Sequence, residues 1–244
     1  TNVHISAGDD ASSDNVSGAV IYNAGTAALK SIVMARNRST GSTGGAIYNI
    51  GDMTINAGTF ISNSDKNNSG AIYNIGNITL QGSNIFGIAS GTTDDGIYND
   101  GTMTISSGTT RVRSPFKGDG TVDIKGTLAI YNPVFTTKIG TWTGTLILNS
   151  PSAIEFSSDQ LTTNSIGALQ GNTNATFKNT NKQLTMIGKS VDFKGTYTQE
   201  GEGASLTVDG TNASLFSGVK NINAGSITLN VRDFSDILNT WAVS

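Results

Sequence analysis

The chain has 244 residues, a formal net charge of −3, one histidine and no cysteine. Only 14% of its residues are charged, against about 25% in a typical soluble protein. Its Lys and Arg residues form no cluster, which argues against nucleic-acid binding, since that needs concentrated positive charge. No stretch approaches the ~18 consecutive apolar residues of a membrane-spanning helix, so we expect no membrane span in this chain.

The first half of the chain is an internal repeat. It opens with a short alternating run at Val3 to Ile5, and four copies of a Gly-Ala-Ile-Tyr-Asn segment follow, of which the first has an added Val and the fourth lacks the Ala. The tyrosines of these copies are about 26, 25 and 25 residues apart; they are Tyr22, Tyr48, Tyr73 and Tyr98. Each Asn is followed two residues later by Gly, and then by a short alternating run such as Met53-Thr54-Ile55.

Alternation over such short runs predicts strands, and the Gly and Asn residues between them supply turns. A repeat of about 25 residues then holds roughly three strands and three bends. No segment has the apolar spacing of a crossover helix. The strands must therefore pair with their equivalents in neighbouring repeats, which predicts an all-β, parallel, in-register β-solenoid.

A shorter repeat follows. Gly-Thr pairs are each followed by a proline at steps of about 18 residues, at Pro115, Pro133 and Pro151. Proline cannot donate to a strand ladder, so we expect these residues at bends. The pattern divides the chain into residues 1–108 with coils of about 25 residues, 109–160 with coils of about 18, and 161–244, a less regular continuation ending in a cap or docking segment.

Like residues should stack on like. The core is expected to contain one row of Ile47, Ile72 and Ile97 and another of Met53, Ile78 and Met103. Strand phase in the Gly-Ala-Ile-Tyr-Asn segment stays open. If Ile points inward, Tyr and Ala point outward and Asn joins the inside row; if Tyr points inward, the tyrosines form a buried stack. Either phase predicts tyrosine ladders and permits asparagine ladders.

The Gly-Ala-Ile-Tyr-Asn-x-Gly-x-Met-Thr-Ile units at 45–55, 70–80 and 96–105 resemble the passenger regions of bacterial autotransporter adhesins. This resemblance implies a right-handed parallel β-helix, export across the outer membrane, and adhesion or self-association at the cell surface. It covers residues 1–160 well and the remainder loosely. A passenger of this family is normally followed by a membrane β-barrel, and we see no set of barrel-like strands here.

Catalytic chemistry has few candidates, and we expect no enzyme, no cofactor and no metal site. His4 is the only histidine, so a nucleophilic triad would depend on it alone. The acidic pairs Asp9-Asp10 and Asp94-Asp95 could serve a sugar-cleaving site, but both sit among turn-forming residues. A polysaccharide-degrading enzyme is the weakest of the functional hypotheses.

The leading hypothesis is a non-enzymatic scaffold or adhesin, extracellular or on a bacterial cell surface, that associates with itself head-to-tail or laterally into filaments, aggregates or biofilm. Val3 and Ile5 would form an open strand edge for such contacts. The alternative is an adhesin that binds host or matrix glycans through the row of Tyr22, Tyr48, Tyr73 and Tyr98. The apolar residues of 234–241 would cap the last coil or dock on a neighbour.

Overall fold

The computed structural model describes residues 3–6, 9–10, 20–39, 44–65, 69–88, 94–187, 193–209 and 220–230. These residues form a β-solenoid of about eight turns, in which every strand pair is parallel. This confirms the predicted all-β, parallel solenoid fold. Within these ranges the only helix is one turn of 3₁₀ helix at Ser158–Gln160. No helix there has the length and apolar character needed to cross a membrane.

The strands are short because each one forms a single side of a coil. The first fourteen are β1 (Val3–Ser6), β2 (Asp9–Asp10), β3 (Ile21–Asn23), β4 (Thr26–Ala35), β5 (Arg38–Ser39), β6 (Ile47–Asn49), β7 (Asp52–Ile61), β8 (Ile72–Asn74), β9 (Asn77–Gln81), β10 (Ser83–Phe86), β11 (Ile97–Asn99), β12 (Thr102–Ile105), β13 (Thr109–Val112) and β14 (Phe116–Lys117). The others are β15 (Thr121–Ile124), β16 (Thr127–Ile130), β17 (Lys138–Trp142), β18 (Thr145–Leu148), β19 (Ile154–Ser157), β20 (Ser165–Ile166), β21 (Ala168–Gly171), β22 (Ala175–Thr180), β23 (Gln183–Met186), β24 (Thr196–Glu200), β25 (Ser205–Asp209), β26 (Lys220–Ile222) and β27 (Ser226–Asn230).

All of these strands except β2 and β5, which pair with each other, make three faces. Face 1 carries the Ile-Tyr-Asn strands β3, β6, β8, β11 and β14, and continues with β19, β22, β24 and β26. Face 2 contains the first halves of β4 and β7, then β9, β12, β15 and β17, and continues with β20, β23, β25 and β27. Face 3 contains β1, the second halves of β4 and β7, and β10, β13, β16, β18 and β21.

Residues in the left-handed region turn the chain from face 2 to face 3. Ser31, Ala57, Gly82 and Gly108 occupy this corner in successive coils, with φ values of 51°, 60°, 65° and 71°. Gly108 cannot be replaced without a backbone shift, because an added Cβ would lie 2.2 Å from the carbonyl oxygen of Gly82. This corner lets β4 and β7 serve two faces as continuous ten-residue strands.

Both predicted core rows lie in the interior. Ile47, Ile72 and Ile97 are fully buried register partners on face 1. The row of Met53, Ile78 and Met103 is buried on face 2, also in register. Since like side chains stack on like, each coil repeats the packing of the coil beneath it.

The structure settles the strand phase of the repeat. Ile and Asn point inward and Tyr outward, as in the first of the two predicted phases. The alanines of that phase were expected outside, but Ala46 and Ala71 are fully buried. Ala46 lies in a bend before β6 begins at Ile47, so period-two alternation does not extend to it.

The later coils are shorter and less uniform. Thr109, Thr127 and Thr145 are register partners, which gives the predicted coils of 18 residues. Beyond them, Thr145 pairs with Ala168, 23 residues on. From β14 onward, the inner side of face 1 carries a column of buried aromatic rings that was not predicted from the sequence. Its members are Phe116, Phe135, Phe156, Phe177 and Tyr197.

Candidate functional site: the tyrosine strip of face 1

Face 1 presents a ladder of four tyrosines to solvent over its first four coils. The ring centroids are 5.6 Å apart between Tyr22 and Tyr48, 5.4 Å between Tyr48 and Tyr73, and 5.0 Å between Tyr73 and Tyr98. The planes of the last pair differ by only 1°. Backbone register produces this stack, because Tyr22, Tyr48, Tyr73 and Tyr98 are direct partners in adjacent parallel strands.

The stack determines which parts of the rings remain available. Both faces of Tyr48 and of Tyr73 lie against neighbouring tyrosines. What these inner rings offer outward is therefore their edges and hydroxyl groups. Tyr22 is the most exposed large hydrophobic residue of the ladder, with 57% of its surface accessible.

A second exposed column runs beside the ladder. Ile50 and Ile75 are 37% and 44% exposed, and each lies two residues after a ladder tyrosine. The backbone N–H of Ile75 donates to the carbonyl of Asn49 over 2.9 Å, which holds it at the corner of the coil. The sequence gives this column only a weak signal, because Ile50 and Ile75 lie at a bend between Asn and Gly, where strand alternation does not set the direction of a side chain.

We call the two columns together the tyrosine strip. Its members are Tyr22, Tyr48, Ile50, Tyr73, Ile75 and Tyr98.

Buried asparagines anchor the strip from inside. Asn23 donates from Nδ2 to Oδ1 of Asn49 over 2.7 Å, and the same bond joins Asn49 to Asn74 (2.8 Å) and Asn74 to Asn99 (2.7 Å). Asn99 ends the ladder by donating to the carbonyl of Thr121 over 3.0 Å. This satisfies amides that are otherwise costly to bury, and it fixes the spacing of the tyrosines outside.

Carboxylates lie along one end of the strip. The hydroxyl of Tyr73 donates to Oδ2 of Asp100 over 3.4 Å, and Oδ1 of Asp100 accepts from the backbone N–H of Asp119 over 3.0 Å. Partial burial, with a smaller contribution from Asp100, raises the pKa of Tyr73 to about 12. Lys117 is the register partner of Tyr98 and places a cation at the end of the ladder.

The predicted open edge lies in β1. Val3 and Ile5 pair with Ile32 and Met34 of β4. Among the described residues, β4 is the one strand that pairs with β1. The residues of 234–241, predicted to cap or dock, lie outside the described ranges.

Of the acidic candidates, Asp95 is held by hydrogen bonds inside a corner of the coil. Asp95 is buried and accepts three hydrogen bonds, from the backbone N–H groups of Ser62 (2.6 Å) and Asn63 (2.8 Å) and from Nδ2 of Asn63 (2.7 Å). Burial raises the pKa of the Asp95 carboxyl, and these donors oppose that rise. Asp94 is exposed in the same turn. The Asp95 carboxyl therefore satisfies the N–H groups of Ser62 and Asn63 at a corner of the preceding coil.

The remaining candidates are less informative. Asp9 and Asp10 were expected in a turn, but they form β2, whose backbone pairs with Arg38 and Ser39. His4 lies in β1 opposite Val33. Over the described ranges, no three His, Cys, Asp or Glu side chains are grouped so that they could hold a metal ion.

Comparison of the chain with protein-family models, with curated proteins and with solved structures gives no match. The likeness to autotransporter passengers rests on the repeat alone.

Proposed function

We propose that this protein is a non-enzymatic scaffold or adhesin of a bacterial cell surface that associates laterally with further copies of itself. One observation carries the proposal. The tyrosine strip exposes two apolar columns, including Tyr22, Ile50 and Ile75, at the regular spacing of the coils. Contiguous apolar surface of this kind is characteristic of interaction sites.

A second copy is the partner whose spacing matches. Coils in parallel sheets repeat every ~4.8 Å, so two strips can match coil against coil along their whole length. A partner without this repeat would fit at one coil and be out of phase at the next. The self-complementary arrangement is an isologous dimer, in which the same patch serves both copies.

The test is sedimentation velocity and light scattering over a wide range of protein concentration. We expect concentration-dependent association of the wild-type chain and a monomer for the double variant Ile50→Ser with Ile75→Ser. Ile187→Ser with Ile222→Ser is the matched control, because these isoleucines are 50% and 42% exposed but lie outside the strip. A wild-type monomer at every concentration, or equal association of both variants, would overturn the proposal.

Head-to-tail contact through β1 is the competing geometry for self-association. In the parallel register of β1 with β4, the backbone N–H of His4 faces away from β4, and proline at this position removes a donor that an added strand would need. Loss of association in His4→Pro, with the strip variant still associating, would move the contact from the strip to the β1 edge.

Glycan binding is the second candidate, and the exposed tyrosine hydroxyls favour it. Sugars stack on the faces of aromatic rings, but the faces of Tyr48 and Tyr73 are engaged with other rings. A glycan would therefore depend on hydrogen bonds to hydroxyls such as that of Tyr73. A glycan array probed with wild type and Tyr73→Phe tests this, since only the hydroxyl is removed. Equal signals from the two proteins would exclude that contact.

A further inference from the structure

In a single copy of the protein, the tyrosine strip is itself an extended surface that a ligand could contact. It is a straight row of ring edges, with a row of aliphatic side chains beside it, running along the solenoid axis. Tyr48, Tyr73 and Tyr98 are 5.0 to 5.4 Å apart and Ile75 lies next to them. A rigid, elongated molecule lying along the axis would contact several coils at once.

We infer that the strip of one copy binds elongated planar aromatic cations, lying along the solenoid axis over Tyr48, Tyr73 and Ile75. The inference uses the same strip as the proposed self-association but does not require a second copy.

Ring electrostatics select a planar aromatic ligand. The edge of an aromatic ring is positive and its face is negative, so edge-to-face contact is favourable. Because the tyrosines stack face to face, their edges point outward, and the uncharged, electron-rich end of a ligand makes one such contact per coil when its π face lies across them. A sugar gains less here, since the tyrosine faces on which it would stack are covered.

Nearby carboxylates select a positive charge. Asp100 is exposed in the position that continues the column of Ile50 and Ile75, and the exposed Asp119 is held against it by a hydrogen bond from its backbone N–H. Lys117 lies against Tyr98, at the end of the ladder, and opposes a cation there. The favourable position for a ligand's charge is therefore near Asp100, with its aromatic body over the tyrosines that precede Tyr98.

Thioflavin T is a suitable probe, because it is a planar aromatic cation whose fluorescence rises when its rings are held coplanar. The titration is done at a protein concentration at which sedimentation shows only monomer. We expect saturable binding to the monomer, weakened by added salt since the site is exposed and charged. Congo red, which is planar, aromatic and anionic, should bind more weakly.

Matched variants locate the site. Tyr73→Ser should weaken thioflavin T binding by about tenfold, because it removes an edge contact and breaks the row. Asp100→Asn should weaken it to a lesser extent. Tyr131→Ser is the control, since Tyr131 lies outside the strip beneath the guanidinium of Arg113. Circular dichroism and urea unfolding of each variant establish that the fold persists.

The outcomes separate this inference from the proposed self-association. No binding to the monomer, equal binding by Tyr73→Ser and Tyr131→Ser, or tighter binding of Congo red would each overturn the inference, whether or not the protein associates. Binding to the monomer that is lost in Tyr73→Ser supports the inference even if the protein never associates.

Discussion

Asn49 donates from Nδ2 to Oδ1 of its register partner Asn74 over 2.8 Å, which joins two adjacent coils through fully buried side chains. The other N–H of this amide is shared between the carbonyls of Gly51 in its own coil (2.9 Å) and of Asn77 in the next (3.2 Å). One side chain thus closes the corner of one coil and ties it to another. This explains why the repeat carries Asn at this position.

Replacing Asn74 should destabilise the solenoid. Asn74→Ala leaves Oδ1 of Asn99 without its donor and the carbonyls of Gly76 and Thr102 without the Nδ2 group of Asn74. Buried unsatisfied polar groups are expensive, so we expect a loss of about 2 kcal/mol in the free energy of unfolding, measured with urea. The control is Asn77→Ala, whose exposed amide bonds to Asp52; it should cost under about 0.5 kcal/mol. Equal losses would refute a special role for the buried ladder.

The glycine two residues after each Asn should tolerate a methyl group in one coil and not in the others. A Cβ on Gly76 would lie 2.2 Å from the carbonyl oxygen of Gly51, whereas a Cβ on Gly25 would meet nothing within 4 Å. We expect Gly76→Ala to destabilise the protein by about 3 kcal/mol, since a backbone oxygen cannot move aside cheaply. Gly25→Ala should be nearly neutral. Thermal and urea unfolding of the two variants make the comparison.

Two tyrosines should ionise late. Burial, with a smaller contribution from Asp100, raises the pKa of Tyr73 from 10.0 to about 12, and burial does the same for Tyr197. Folding therefore favours the neutral phenols, and the stability they confer is complete below pH 10 and is lost as the pH rises toward 12. Ultraviolet titration of the folded protein should show a late phase that shrinks in Tyr73→Phe and in Tyr197→Phe. The urea-unfolded chain, which should lack the late phase, is the reference.

Asp95 should resist even conservative replacement. Its two carboxyl oxygens accept hydrogen bonds from three N–H groups. An asparagine here would replace one of these oxygens with an NH2 group, which would face an N–H donor of Ser62 or Asn63. Asn tolerates the left-handed backbone, which Asp95 adopts with φ of 61°, so Asp95→Asn isolates the effect of the side chain. We expect a loss of about 1–3 kcal/mol in urea unfolding. Asp94→Asn is the exposed neighbouring control; a comparable loss there would show that the turn, and not the buried carboxyl, is responsible.

Part of the candidate site could be predicted from the sequence. Tyr48 and Tyr73 are one repeat of about 25 residues apart, which predicted that they stack in register. In the structure they are direct partners in adjacent strands. The exposed Ile50 and Ile75 were missed because alternation applies within strands, and these two residues lie in the bends that follow the strands. The buried column from Phe116 to Tyr197 was missed because its coils differ in length, which hides the repeat.

By itself, the sequence determined the β-solenoid and its in-register stacking, because identical Ile-Tyr-Asn segments about 25 residues apart have their like partners only in neighbouring coils. It could not determine the strand phase, since strict alternation allows either Ile47 or Tyr48 inside. Only the tertiary structure decided this. The bend before Ile47 turns Ala46 inward as well. Whether the tyrosines face inward or outward therefore depends on the backbone angles of this bend, and the spacing of residues in the sequence carries no information about those angles.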